Sequence, residues 1–266
     1  MEERDSVAAE KRATFNEVAA LYDQARNRYP GRLFEDLFAW TNLPPGARVL
    51  EIGAGTGIAT LPPAEYGCSV TAIELGAGMA EVARAKLAAY PGVEVVNADF
   101  ETWEAPEEPY DLVLSATAIH WIDPEVRYSK PAALLREGGY IALLGYKHAV
   151  GGDQAFFDRA QQCYEKFMPH SAKGRLAEAG DVNPHVPELA ASGYFDEPRM
   201  QTCFTEERYD RDGLLGLLAT YSDHRLLEAA ARERLFACIG ALIDNDYNGS
   251  IRKRYRNDLI VARKKR

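Results

Sequence analysis

The sequence predicts an α/β fold: a doubly wound, mostly parallel sheet of seven strands, preceded by a helical cap and covered by a helical lid. Three observations carry this expectation. Short β-rich segments alternate with helical ones, and strand, helix, strand in series demands right-handed crossovers with helices on both faces of the sheet. The first strand runs into glycines at 53, 55 and 57, the kind of turn found where open parallel sheets bind ligands. The 266 residues, 47% hydrophobic and 27% charged, suffice to bury a sizeable core.

Taken in order, the apolar residues Val7, Phe15, Val18, Ala19 and Tyr22 recur at roughly helical spacing, which predicts an amphipathic helix over about Ser6 to Arg26. A second helix, from Gly31 to Trp40, ends before the Pro-Gly turn "NLPPGA". Then come "RVLEI" at 48–52, "SVTAIE" at 69–74, "VEVVNA" at 93–98, "YDLVLS" at 110–115 and "GYIALLGY" at 139–146, with helical stretches at Ala77–Ala89 and Glu125–Arg136 between them. Beyond residue 150 the reading gives a helix at Phe156–Phe167, a strand at "RMQTCFTEERY", a long helical region from Asp212 to Tyr247 and a last strand within "YRNDLIVARKKR". Pro62-Pro63 imply that the helix after Gly57 starts late, capped by Thr60, because proline is tolerated only in a first turn. The chain reads as one domain: a cap at 1–44, a core at 45–150, remaining sheet and lid at 151–250, and the last strand at 251–266.

Charge and cysteine usage exclude several classes. With 31 Lys plus Arg against 40 Asp plus Glu, the net charge of -9 argues against broad capture of nucleic acid or a membrane surface. The basic residues Arg252, Lys253, Arg254, Arg256 and Arg263 to Arg266 read as the solvated flanks of an edge strand. Cys68, Cys163, Cys203 and Cys238 lack paired spacing, so they read as packed thiols in a reducing cytoplasm, with no metal site. The charged N-terminus and the absence of a long apolar run imply neither signal peptide nor membrane span.

The stretch "VLEIGAGTG" poses the ligand question. A dinucleotide fingerprint, G-x-G-x-x-G, needs Gly or Ala where this chain has Ile58, and a pyrophosphate wants the helix N-terminal donors that Pro62 and Pro63 lack. The match is to E-x-G-x-G-x-G. Together with "TAIELGAGMAEVAR", "VNADFETW", "YDLVLSATAIHWID" and "LLREGGYIALL", the chain resembles the class I S-adenosylmethionine-dependent methyltransferases, and within them the small-molecule, trans-aconitate methyltransferase-like group. The front segment "FNEVAALYDQARNRYP" resembles that group's aromatic-rich cap, with Arg26-Asn27 in place of the usual Arg-Pro pair.

The resemblance implies S-adenosylmethionine as cofactor and a set of roles. Gly53, Ala54, Gly55 and Gly57 let the backbone approach the cofactor, and Glu74 accepts the ribose hydroxyls. Asp99 and Phe100 clamp the adenine, with Leu75 and Met79 against its faces; Ala116 and Tyr22 complete the cofactor set. Glu51 orients either the glycine turn or the cofactor's amino group. His120 is the candidate base after the fourth strand, and its competing reading is a packed wall with Trp121. Trp121, Tyr221 and His224 are candidate contacts to a small-molecule acceptor, a carboxylate or a hydroxyl; helix capping by Ser222 or Asp223 competes with the last two. The protein is expected as a monomer or homodimer. Two rival readings stay open: a nicotinamide-dependent oxidoreductase of similar fold, and a noncatalytic S-adenosylmethionine-binding regulatory protein.

Overall fold

The structure, a computed structural model, describes residues 18–169 and 175–266. Its strands are β1 (Arg48–Ile52), β2 (Ser69–Glu74), β3 (Val93–Asn97), β4 (Tyr110–Ala116), β5 (Leu135–Gly152), β6 (Arg199–Asp210) and β7 (Ser250–Arg263), forming one sheet in the order β3-β2-β1-β4-β5-β7-β6. Strands β3, β2, β1, β4 and β5 pair in parallel. The amides of Asp153 and Lys264 donate to Arg252 and Gly139, so β7 runs antiparallel to β5 and the sheet is mixed.

The helices are α1 (Ala19–Ala25), α2 (Gly31–Thr41), α3 (Leu61–Glu65), α4 (Ala77–Leu87), α5 (Ser129–Leu134), α6 (Gln154–Phe167), α7 (His185–Ala191), α8 (Arg211–Ala219), α9 (Ser222–Arg225) and α10 (Ala229–Asp246). For the helix expected from Ser6, residues 6–17 lie outside the described residues. The helix after Gly57 does start late, with Pro62 and Pro63 in its first turn, but the Thr60 side chain makes no capping bond.

Three elements differ from expectation. The helix expected over Glu125–Arg136 shrinks to α5, because Pro131 is tolerated only in a first turn and Leu135 turns extended to pair with Tyr110. Strand β5 is correspondingly longer than 139–146 at both ends. The helical region after β6 breaks into three. Asp210 caps α8 by accepting from the Gly213 amide, and Glu228 caps α10 by accepting from the amides of Ala230 and Ala231. Neither Ser222 nor Asp223 caps α9, whose N-cap is Tyr221.

The chain forms two compact units. The first comprises Arg28–Tyr146, Val182–Cys203 and Asn257–Arg266. Its strands are buried on both faces: Leu50, Ile52, Val113 and Ile141 pack into one core, and Val49, Val70, Leu112 and Leu114 into another. A parallel sheet covered on both sides explains the nearly unbroken apolar runs in the sequence. The second unit holds the described residues of 18–27 and 147–181 together with Phe204–Arg256. Its core is helical, with Phe156, Ala160 and Cys163 of α6 against Leu235, Ile239 and Ile243 of α10.

Two expectations fail in the second unit. Cys163 and Cys238 form a disulfide, not packed thiols; their 75-residue separation hides the pairing from any spacing rule, and the packing of α6 on α10 brings them together. The argument from cysteine usage for a reducing compartment goes with it. The basic run is not an edge either. Strand β7 lies between β5 and β6: Lys253 is buried on the same side as Ile251 and Tyr255, and from Tyr255 onward both faces of the strand are buried, Arg256 with them.

Candidate functional site

The sheet order reverses beside β1: β2 and β3 lie to one side and β4 to the other. Loops leaving β1 and β4 therefore meet at a topological switch point, where doubly wound sheets bind ligands. The β1 loop is held by backbone demands. Gly53, Gly55 and Gly57 have φ of 69°, 58° and 77°, the left-handed region that side chains disfavour. A Cβ on Gly53 would stand 2.5 Å from Cβ of Ala118, and one on Gly57 would stand 2.9 Å from Cδ1 of Leu87. These glycines thus serve loop packing as much as any approach to a ligand.

The loop's donors are largely consumed. The amides of Gly53 and Ala54 both donate to the Ile73 carbonyl, and Gly57 donates to Ala54. Gly55 donates to Oε2 of Glu74 at 2.7 Å, while Gly76 donates to its Oε1 at 2.7 Å. A pyrophosphate cradle needs such amides free. Here they are spent on fixing Glu74, whose carboxylate spans the turns after β1 and β2 and keeps further lone pairs on both oxygens. Burial pushes the Glu74 carboxyl up from its ordinary range, against the three backbone donors that pull it down. The Asn97 side chain braces the turn by donating to the Glu74 and Leu75 carbonyls.

Glu51 is the second acid of this site. Strand alternation sets it on the face of Val49, opposite Leu50 and Ile52, and it is 1% exposed. Neither carboxylate oxygen meets a hydrogen-bond partner among the described residues. Burial pushes its carboxyl up to about 8; the Thr60 side chain opposes the shift and the Glu74 charge adds to it. A buried acid without a donor is a site for a ligand that brings one, or a positive charge.

The other expected residues take distinct places. Met79 is buried, with Cε 3.6 Å from where a Gly55 Cβ would be, whereas Leu75 is 47% exposed. Asp99 folds back to accept from the Glu101 amide, and Phe100 lies in the core with the Lys130 ammonium 5.0 Å from its ring centre. After Ala116, Thr117 adopts φ of 56°, donates its amide to Leu144 and joins its hydroxyl to that of Tyr29. His120 and Trp121 follow on a single 3-10 turn, ring centres 4.9 Å apart, with His120 exposed, so it is not part of a packed wall.

Tyr22, Tyr221 and His224 belong to the second unit. There the Arg26 guanidinium stacks 4.7 Å from the Tyr22 ring centre and 4.8 Å from that of Tyr221. Sequence reasoning missed Lys253, Tyr164 and His148 beside them. Only the alternation Ile251, Lys253, Tyr255 signalled an inward lysine. It also missed Thr117, for which no signal exists.

Comparison with known proteins completes the picture. Residues 49–139 match a family model described as a methyltransferase domain. The chain is 33% identical over 132 residues to an uncharacterized methyltransferase of Mycobacterium tuberculosis, a match covering 49% of this chain and 51% of that protein, so it spans about half the length of that relative. It is 30% identical over 163 residues to an uncharacterized methyltransferase of Anoxybacillus flavithermus, covering 60% of this chain and 68% of that one. A structure from Anaeromyxobacter dehalogenans, solved as a candidate type II methyltransferase, shares the fold: TM-score 0.60, 23% identity, 90% of this chain and 97% of that one.

Proposed function

Because the chain belongs to the class I S-adenosylmethionine-dependent methyltransferases, we propose that it transfers a methyl group from S-adenosylmethionine to a small-molecule acceptor by in-line displacement. The observation that carries this reading is the pair of acids at the switch point: Glu74, half-buried and fixed by Gly55 and Gly76, and buried Glu51, whose carboxylate oxygens meet no hydrogen-bond partner among the described residues. They fit this cofactor. Glu74 offers its remaining lone pairs to ribose hydroxyls, and Glu51 offers an uncompensated carboxylate to an ammonium. When bound, S-adenosylmethionine supplies an activated methyl on a sulfonium that leaves as a neutral thioether.

The chain's residues then have to align the reactants and exclude water. Asp99 and Leu75 border the adenine end, and Ala116 lies where β4 gives way to the Thr117 turn. The acceptor is a carboxylate or a hydroxyl. A carboxylate needs no base, while a hydroxyl calls on His120, exposed on its turn beside Trp121. The consumed loop amides and the prolines of α3 weigh against a nicotinamide dinucleotide. The net charge weighs against nucleic acid as acceptor. No described helix is long and apolar enough to cross a membrane.

The test is incubation with methyl-labelled S-adenosylmethionine and a metabolite extract, followed by mass spectrometry. Label on a small molecule is the expected result. Tight cofactor binding without transfer would leave a binding protein, and label on added RNA would move the acceptor to another class.

A further inference from the structure

Two cations flank the start of α5, and each reaches the backbone of a different loop at the carboxyl end of the parallel strands. Arg127 donates to the carbonyls of His120 and Ile122. Lys130 donates to those of Phe100 at 2.6 Å, Glu101 at 3.2 Å and Trp103 at 2.6 Å. Three carbonyls around one ammonium occupy all three of its donors, and making such a set costs a lysine its side-chain freedom.

What these bonds hold is a single turn after β3. The amides of Thr102 and Trp103 donate to the Asp99 carbonyl, closing one helical turn whose later carbonyls have no following turn to donate to them. Lys130 supplies the missing donors. One of its bonds also reaches Asp99 indirectly. The Phe100 carbonyl and the Glu101 amide belong to the same peptide, and a planar trans peptide points its oxygen and its N–H in opposite directions. Lys130 holds the oxygen, and the N–H donates to Oδ1 of Asp99 at 2.9 Å. The Phe100 ring steadies the same peptide, being buried in the core with the Lys130 ammonium 5.0 Å from its centre. On the other side of Asp99, the Ala98 amide donates to the Glu74 carbonyl at 3.0 Å. The half-buried Asp99 carboxylate is thus aimed by a side chain from another element, and it keeps lone pairs for a ligand's N–H.

We propose that Lys130 is a positioning residue for purine selectivity: by holding the Phe100–Glu101 peptide it aims the Asp99 carboxylate, which accepts from an exocyclic amine and repels an oxygen at the same place on the ring. The proposal rests on the S-adenosylmethionine reading, in which Asp99 borders the adenine. Lys130 acts through that peptide, not by contact with the cofactor.

The experiment is calorimetric titration of the full chain with S-adenosylhomocysteine and with S-inosylhomocysteine, which carries an oxygen in place of the amine. The unmodified protein is expected to bind the adenosyl compound at least tenfold more tightly. In Lys130→Met the ratio of the two affinities is expected to fall at least threefold. Lys130→Gln, whose shorter side chain has only two N–H donors for three carbonyls, is expected to do the same and decides the matter should Lys130→Met not fold. Arg127→Met, which releases the other loop, is expected to lower the ratio by less than either lysine variant does. A general loosening of the fold would weaken both compounds alike and leave the ratio where it was. A fall smaller than threefold in a folded lysine variant therefore overturns the proposal, as does a fall at least as large in Arg127→Met, or equal binding of the two compounds by the unmodified protein; each of these leaves the cofactor reading intact. Binding of neither compound by the unmodified protein would overturn the cofactor reading and the proposal with it.

Discussion

Two buried polar clusters of opposite character lie in the two units. At the switch point of the first unit the groups are acids, buried Glu51 and half-buried Glu74, and the donors that hold Glu74 are backbone amides. In the second unit a buried charge is positive, Lys253, set beside tyrosines and histidines whose partners are other side chains. A cluster built on backbone constrains its own local sequence. One built on side chains gathered from distant elements does not.

The contrast also separates how the units are held, and the largest expected effect tests that. Cys163–Cys238 closes a 75-residue loop in the second unit, for which the chain-entropy model gives about 4 kcal/mol of stabilisation. Denaturant unfolding with and without reductant should show a loss of that order, and no change on reduction would place the second unit's stability wholly in its core. In the first unit, Gly53→Ala adds a Cβ 2.5 Å from Ala118 at a left-handed position, which should cost about 3 kcal/mol from strain and overpacking together. Chemical denaturation measures this; a neutral result would mean that the two loops at the switch point part easily.

Glu74→Ala removes the acceptor shared by Gly55 and Gly76, and cofactor affinity should fall by about 100-fold, or about 2.7 kcal/mol. Titration with S-adenosylhomocysteine reads it, and an unchanged Kd would take Glu74 out of the cofactor site. A last test opposes the two clusters directly, through the slope of stability with pH. Glu51 has a folded value of about 8 against 4.5, so the folded state holds the extra proton in that window, and stability falls as pH rises through it by up to about 1.4 kcal/mol per unit. His224 shifts the other way, from 6.5 to about 4, so the stability it contributes is lost as pH falls through that range. Urea denaturation between pH 4 and 8 should show Glu51→Gln flattening the alkaline limb and His224→Leu the acid limb. Limbs that survive these substitutions would mean other groups set the pH response.

The same contrast explains what the sequence disclosed. The glycine loop was legible because three left-handed positions must be glycine, and β1 and β2 because packing on both faces makes their sequences rich in apolar residues. The split of the region after β6 was signalled by Asp210 before Gly213 and by Glu228 before its alanines, cap signals that the continuous apolar pattern masked. The extension of β5 was obscured by Gly138, Gly151 and Gly152, which read as turn residues. Lys253 was misplaced at a solvated edge because its strand's position in the sheet depends on pairing with β5 and β6, information that no local window holds. The disulfide and the cluster of residues 148, 164, 221, 224 and 253 arise only once the helices and strands have packed.

The route of the chain through the two units bears on how the gene could have been assembled. Of the five switches between them, three fall inside β5, β6 and β7, after Tyr146, Cys203 and Arg256, and two fall between elements, after Asn27 and Asp181. No single truncation separates one unit from the other, and joining two ready-made genes end to end would not produce this order. An ancestral insertion would have had to enter within strand-coding segments and keep their pairing register, so a dissection of this protein has to proceed by splicing segments rather than by trimming ends.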